Sequence, residues 1–304
     1  MLHTPVNGKE VFLPLPGGCA YNTSIAISRL GVPVSFLGRV STNFFGEIQV
    51  KRLRENNVND NLIIRRGENP VLAFIKVEEG REPQYAFYEE GTVDRLLSPE
   101  ELPQQLPAKT TCIVFGSISM AMEPIASTIE SFILKEAKKK VIAFDPNIRP
   151  FMIKDRNAYL QRFERWAGAS AIVKISLEDF EYFVPKPDPQ EALAKIIDMG
   201  ARLVIITLGP GGCTAMLRRD DGSLTKVSAP GVPVSSLVDT VGAGDTFHGA
   251  FLAWLELGGK MSHNAIANLS ESDLYDALVF ANKAASIVCT RHGAEPPTRQ
   301  EVIY

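Results

Sequence analysis

The sequence predicts an α/β fold built on a doubly wound, mostly parallel sheet, and three observations carry that reading. Short, nearly continuous apolar runs recur between helical segments, at residues 112–116, 141–144, 171–176 and 203–208. Strands covered by helices on both faces lose the polar alternation of a half-exposed strand, and these runs have lost it. Next, β-branched residues up to Val241 lead into Gly242-Ala243-Gly244-Asp245 and then an apolar run at 250–255, which reads as strand end, tight turn and helix start. Lastly, the pattern changes between residues 62 and 96, where β-rich runs at 71–77 and 84–88 flank Glu78 to Pro83. That is a hairpin inserted into a βα protein. The architecture expected is a Rossmann-like core of residues 17–67 and 97–304, with a small antiparallel β-lid from residues 1–16 and 68–96. The lid is expected to close over a site or to make a dimer contact.

In chain order, residues 10–16 give one strand cut off by prolines. Gly17-Gly18 with Asn22 make a polar corner open to close approach, and a helix follows with apolar positions 25, 26, 27 and 30 and a stop at Gly31. Residues 34–40 read as a strand and 45–56 as a helix with Lys51, Arg52 and Arg54 on its solvated face. After the strand at 112–116 comes a helix over about 123–137. The strand at 141–144 then delivers Asp145-Pro146-Asn147-Ile148-Arg149 at its C-terminal end, where open parallel sheets bind ligands. An extended segment puts Asp145, Asn147 and Arg149 on one face; an Asx turn with a surface arginine is the plainer alternative. The strand at 171–176 leads to Glu178 and Asp179 at a helix start, and the one at 203–208 ends in a Gly-rich turn before a hairpin-like return at 214–217. Helices are expected over about 246–257 and 272–290, with Ala281, Ala284 and Ala285 as a packing face.

Composition narrows the partners. The 304 residues carry a formal charge of −3, which gives no electrostatic footprint for nucleic acid and favours a small molecule. No run of about 18 apolar residues and no export signal is present, so neither membrane insertion nor secretion is expected. The four cysteines, Cys19, Cys112, Cys213 and Cys289, have no C-x-x-C spacing, which points to free thiols in a reducing cytoplasm.

The chemistry centres on Asp245. Amides at a helix N-terminus favour an anion, so a carboxylate placed in the same turn suggests proton abstraction beside a phosphoryl group, with helix capping as a secondary role. The corners at 16–22, 145–149 and 239–245 would gather along one sheet edge. Together they fit phosphoryl transfer from a nucleotide to a hydroxyl. The alternatives lack their motifs: there is no G-x-x-x-x-G-K-[ST] loop, no H-R-D or D-F-G, and Phe247 stands where a dinucleotide fingerprint needs its third glycine. His248 is expected to be a packing or hydrogen-bonding histidine rather than a rival base. Phe87 and Tyr88 either close over a sugar or form lid core.

The stretch Asp239-Thr240-Val241-Gly242-Ala243-Gly244-Asp245-Thr246-Phe247 closely resembles the C-terminal signature of the ribokinase-like, phosphofructokinase-B type carbohydrate kinases. Gly17-Gly18 with Asn22 resembles the N-terminal sugar signature, and Asp145-Pro146-Asn147-Ile148-Arg149 the D-x-N-x-R motif. The resemblance spans nearly the whole chain, and residues 85–88, 115–119 and 174–179 look most like the fructokinase branch. It implies ATP-dependent phosphorylation of a sugar, with Asp245 as base, the amides of Gly242, Ala243, Gly244 and Asp245 as anion hole, and Arg149 on the transferring phosphate. Gly17, Gly18, Asn22 and Phe87 would meet the sugar, and Lys174, Thr207, Gly209, Gly212, Gly242, Gly244 and Asn282 the nucleotide. Mg²⁺ would arrive with ATP, held through water and indirectly by Asp179, while Asp239 and the 288–293 loop would hold a monovalent cation such as K⁺. A homodimer through the lid is expected.

Three departures stand against this pattern. The family's first core strand, which ends in a sugar-binding Asp, is expected to be missing here. Asn43 replaces an Asp near Gly46, and Ser176 and Asp179 replace an Asn and a Glu. A 2-keto-3-deoxygluconate kinase is the nearest alternative, but Phe87-Tyr88-Glu89 lacks its Tyr-x-Arg pattern. A ribokinase-type kinase and an inactive sugar-binding relative are the others.

Overall fold

The apolar runs that the sequence marks as strands lie side by side in the computed structural model, which describes residues 1–6, 9–76 and 84–303. The first part of the chain gives β1 (Leu2–Val6), β2 (Lys9–Leu13), α1 (Cys19–Arg29), β3 (Gly38–Ser41), α2 (Phe44–Glu55), β4 (Ile63–Arg66), β5 (Leu72–Lys76) and β6 (Gln84–Tyr88). The middle gives β7 (Cys112–Gly116), α3 (Ile125–Glu136), β8 (Val141–Asp145), α4 (Arg156–Ala169), β9 (Ile172–Ser176), α5 (Leu177–Phe180) and α6 (Pro189–Asp198). The remainder gives β10 (Leu203–Thr207), β11 (Cys213–Arg218), β12 (Leu224–Ala229), α7 (Ala243–Leu257), α8 (His263–Ala267), α9 (Glu271–Val288) and α10 (Arg299–Ile303).

Six strands form the main sheet in the order β12-β11-β10-β9-β8-β7. The pairs β7/β8, β8/β9 and β9/β10 are parallel, and β11 and β12 return antiparallel. Period-two geometry divides each inner strand between two cores. On one face Leu203 and Ile205 pack with Phe251 of α7 and Leu274 of α9; on the other Val204 and Ile206 join Phe163 and Trp166 of α4 and Leu193 of α6. Each such large side chain contributes roughly 1.5–3 kcal/mol on burial. Ala281 and Ala284 are fully buried against α7, so the small face of α9 is a packing surface.

A second sheet, in the order β2-β1-β5-β6, joins residues from both segments assigned to the lid. The expected hairpin is seen as the antiparallel β5/β6 pair, whereas its turn at 77–83 lies outside the described residues. β3 and β4 form a separate parallel pair, shorter and later than the strand expected at 34–40, because Ser35 makes only an isolated bridge to Asn59. Among the described residues, β7 pairs with β8 alone. The main sheet therefore ends there, and a cleft of about 2090 Å³ runs between it and β3, lined by Arg39 and Val40 on one side and Cys112 to Phe115 on the other. No helix among the described residues is long and apolar enough to cross a membrane.

Where β7 and β8 end, their backbones touch. Gly116 has φ 145°, and a Cβ on it would lie 1.7 Å from the Asp145 carbonyl oxygen. Gly116→Ala is therefore expected to cost roughly 2–4 kcal/mol of unfolding free energy, read by urea denaturation. A cost below about 0.5 kcal/mol, the scale of an ordinary surface change, would mean that the two strand ends separate freely.

Candidate active site

The cleft collects the polar corners of the sequence. Gly17, Gly18 and Asn22 reach it from the start of α1, Asn147 and Arg149 from the end of β8, and Gly242, Gly244 and Asp245 from the start of α7. Gly18 is the residue before α1 with φ 124°, a conformation that costs a glycine little. Its carbonyl accepts from the Asn22 backbone amide at 2.8 Å, which closes the first turn of α1.

Asn22 Nδ2 donates to Asp245 Oδ2 at 2.8 Å. The other carboxylate oxygen of Asp245 has no partner, although the residue is only 6% exposed. Burial pushes the Asp245 carboxyl above the ordinary range, opposed by the Asn22 hydrogen bond. Gly242, at φ 80°, is the residue before α7, and no side chain caps this end. Asp245 lies three residues past Gly242 with its side chain turned to Asn22, so the capping role expected for it is not what the structure shows. The sequence places Asn22 with the sugar; the structure shows it holding the carboxylate.

The turn before α7 is rigid. A Cβ on Gly242 would lie 2.6 Å from the Ala294 methyl, so only glycine fits between the turn and the 293–294 loop. The Ala243 amide donates to the Thr240 carbonyl at 3.2 Å and is committed within the turn, unlike the expectation that it joins the anion hole. The amides of Gly244 and Asp245 fall in the first helical turn, where no intrahelical acceptor exists, and both residues line the cleft. Asp239 braces this turn from below: its two oxygens accept from the amides of Val241 and Gly293, both at 2.9 Å, which ties the turn to the loop after α9.

At the end of β8, Asp145, Asn147 and Arg149 do not share one face. Asn147 has φ 38°, and that left-handed residue breaks the extended run. Asp145, 1% exposed, turns inward, while Arg149 is exposed at the cleft with its guanidinium donating to the Ile148 carbonyl at 2.9 Å. Asp179 supports this segment. One of its oxygens accepts from the Ile148 amide at 2.9 Å and the other from the Ser176 hydroxyl at 2.8 Å. Burial raises the Asp179 carboxyl despite the Ser176 bond.

Lys174, expected with the nucleotide residues, has its ammonium 3.0 Å from Asp145 Oδ2 and is 3% exposed. Thr207 and Gly209 line the cleft as expected. Gly212 and Asn282 do not line it. A Cβ on Gly212 would lie 2.3 Å from the Ala229 carbonyl, and Asn282 Nδ2 donates to the Pro230 carbonyl at 3.0 Å, so both fix the chain leaving β12. Phe87 lines the cleft with its ring 5.1 Å from that of Phe151, just past Arg149, whereas Tyr88 is 63% exposed and points away. Asn43, just before α2, caps it by accepting from the amides of Phe45 and Gly46.

One further feature was not drawn from the sequence. Cys19 Sγ and one oxygen each of Asp145 and Asp245 lie within 4.8 Å of one another. His248 is the packing histidine that the sequence leads one to expect: it is fully buried, neither ring nitrogen has a hydrogen bond, and burial lowers its pKa to about 3, so it is neutral and no base. A lysine inside the apolar run Ile172–Ser176 was the available signal for a buried ion pair, since lysine is almost never buried unpaired.

The sequence matches the pfkB family carbohydrate kinase pattern across residues 12–301. It is 36% identical over 267 residues to a fructokinase of Rhizobium leguminosarum bv. trifolii, covering 88% of this chain and 79% of that protein. It is 30% identical over 298 residues to fructokinase-1 of Zea mays, covering 96% of this chain and 88% of that one. Its fold is similar to that of a fructokinase with bound ATP from Xylella fastidiosa, at a TM-score of 0.87 and 24% identity, over 100% of this chain and 93% of the other.

A carboxyl raised in the folded state binds its proton more tightly there than in the unfolded chain. Its stabilising share is full below the ordinary range of about 4 and is lost as pH rises through the raised value. Asp245→Asn removes that loss. Its melting temperature is therefore expected to exceed the parent's by a margin that grows from about pH 4 to about pH 8, followed by differential scanning fluorimetry. A variant that melts below the parent across this range would show that the ionised carboxylate is not a strained group.

Proposed function

Because the chain belongs to the pfkB family of carbohydrate kinases, we propose that it transfers the γ-phosphoryl group of ATP to a hydroxyl of free fructose. The identity to fructokinases over most of the chain and the missing arginine in Phe87-Tyr88-Glu89 support this sugar over a 2-keto-3-deoxygluconate. The observation that carries the mechanism is the unpartnered oxygen of Asp245, in a buried carboxylate whose other oxygen is pinned by Asn22.

A sugar hydroxyl against that oxygen gives its proton to Asp245 as its own oxygen bonds to the γ-phosphorus, while the bond from that phosphorus to the β–γ bridging oxygen breaks and ADP leaves. The first-turn amides of α7 would meet the charge that grows on the transferring oxygens, and Arg149, exposed where it lines the cleft, would add a cation to them. Gly17, Gly18 and Phe87 form the sugar end, Thr207 and Gly209 the nucleotide end.

Mg²⁺ enters as part of the nucleotide substrate. Both oxygens of Asp179 are engaged by protein donors, which fits contact through water rather than direct ligation. A monovalent cation would fit where Asp239 joins the turn to the 288–293 loop, and its charge would strengthen the anion hole. Four unpaired cysteines support a reducing cytoplasm. Phe12, Leu13 and Tyr88, each more than 40% exposed on the lid sheet, support self-association there.

Coupled ATP consumption across hexoses, pentoses and sugar acids is expected to show turnover highest with fructose. Binding of a sugar without turnover would turn the reading to an inactive relative. Asp245→Asn is expected to lower kcat by about 10²–10⁴-fold with little change in sugar affinity, the range for a lost general base. Near-normal turnover would remove Asp245 from that role. Light scattering is expected to give the mass of two chains, reduced toward one by Tyr88→Lys; an unchanged mass places the contact elsewhere.

A further inference from the structure

Behind Asp245 lies a second buried carboxylate, Asp145, at the C-terminal end of β8. One oxygen of each lies within 4.8 Å of the other, and the two residues are 6% and 1% exposed. Two carboxylates this close and this dry do not both ionise unless a cation compensates one of them. The groups facing the pair come from four elements: Cys19 and Asn22 on α1, Asp145 itself on β8, Lys174 on β9, and His248 on α7. Asp179 of α5 lies farther back and adds negative charge. His248 Nδ1 is 3.7 Å from Asp145 Oδ2, but this imidazole is neutral. Cys19 is neutral too, since burial and the two carboxylates push its thiol up. Arg149 is exposed at the cleft with its guanidinium turned to the Ile148 carbonyl. Lys174 is the buried cation of the cluster. Burial pulls its ammonium down, the charge of Asp145 outweighs that, and it stays protonated. Its Nζ also lies 3.0 Å from where a Cβ of Gly244 would be, directly beneath the turn that starts α7.

We propose that Lys174 is the positioning residue for the phosphoryl-transfer base: by neutralising Asp145 it lets Asp245 remain ionised in a closed site, and it supports the Gly244 turn from below. The proposal rests on Asp245 acting as the base. It gives Lys174, which lines the cleft, a role through Asp145, and makes Asp145, which does not line it, a counter-ion to the lysine rather than a group that touches substrate.

The test is the pH dependence of kcat/KM for fructose with the full chain. Lys174→Met leaves Asp145 uncompensated beside Asp245, so the acid limb is expected to move up by about one pH unit or more. Asp145→Asn leaves the ammonium uncompensated, so the limb is expected to move down. The double variant, which removes both charges, is expected to return it close to the parent's position. A merely structural lysine would lower activity at every pH without moving the limb, and an unmoved limb in Lys174→Met overturns the proposal. If that variant does not fold, Asp145→Asn and the double variant carry the test, and equal limbs in those two overturn it. The underlying reading fails separately: a parent without sugar-dependent ATP turnover, or an acid limb that survives in Asp245→Asn, would remove Asp245 as the base whatever Lys174 does.

Discussion

The reacting end of this molecule depends on how closely α1 crosses α7. A Cβ on Gly249 would lie 2.8 Å from the Ala26 methyl and 3.1 Å from the Thr23 carbonyl, so the two helices approach at a distance that only glycine on one side and alanine on the other permit. One turn earlier on each helix, that closeness brings Asn22 within a 2.8 Å hydrogen bond of Asp245 across 223 residues of sequence. A looser crossing would leave the carboxylate without a fixed oxygen, and its free oxygen would then have no defined direction. The hydrogen bond is worth more than an exposed one because both groups are dry, and for the same reason the unpaired oxygen is costly to keep. The site thus holds a destabilising feature that the surrounding packing enforces.

The sheet explains how the other groups reach this point. Parallel strands β7 to β10 all end on the same side, so the turns after β8, β9 and β10 open toward the first turn of α7. The backbone contact of Gly116 with the Asp145 carbonyl and the bonds from Ile148 and Ser176 to Asp179 tie the ends of β7, β8 and β9 to one another. Arg149, by contrast, is exposed at the rim, with its guanidinium held by the Ile148 carbonyl. That contrast of a buried, pinned carboxylate at Asp245 and an exposed cation at Arg149 suits the phosphoryl transfer proposed for the site.

The charged cluster around Asp245 shows why burial alone does not assign a role. Lys174, Asp145, Asp245, Cys19 and His248 are packed together, yet the ion pair, the raised carboxyl, the neutral thiol and the neutral imidazole each follow from different neighbours. Removing any one charge redistributes the rest, which makes the cluster a single electrostatic unit rather than a set of independent residues.

By itself, the sequence determined the alternation of strands and helices, the β-rich insertion, and the turn bearing Asp245, because apolar period and glycine placement are local properties of the chain. It also carried the family resemblance that the match over residues 12–301 then showed. What it could not determine were relations between distant residues. That Asn22 holds Asp245, that Asn147 breaks the expected common face, that Gly212 and Asn282 fix β12, and that Lys174 pairs with Asp145 all depend on which strand ends and helix starts become neighbours. Local pattern dictates each element's own geometry. Only the tertiary packing decides which polar groups are left without water, and so which of them must find one another.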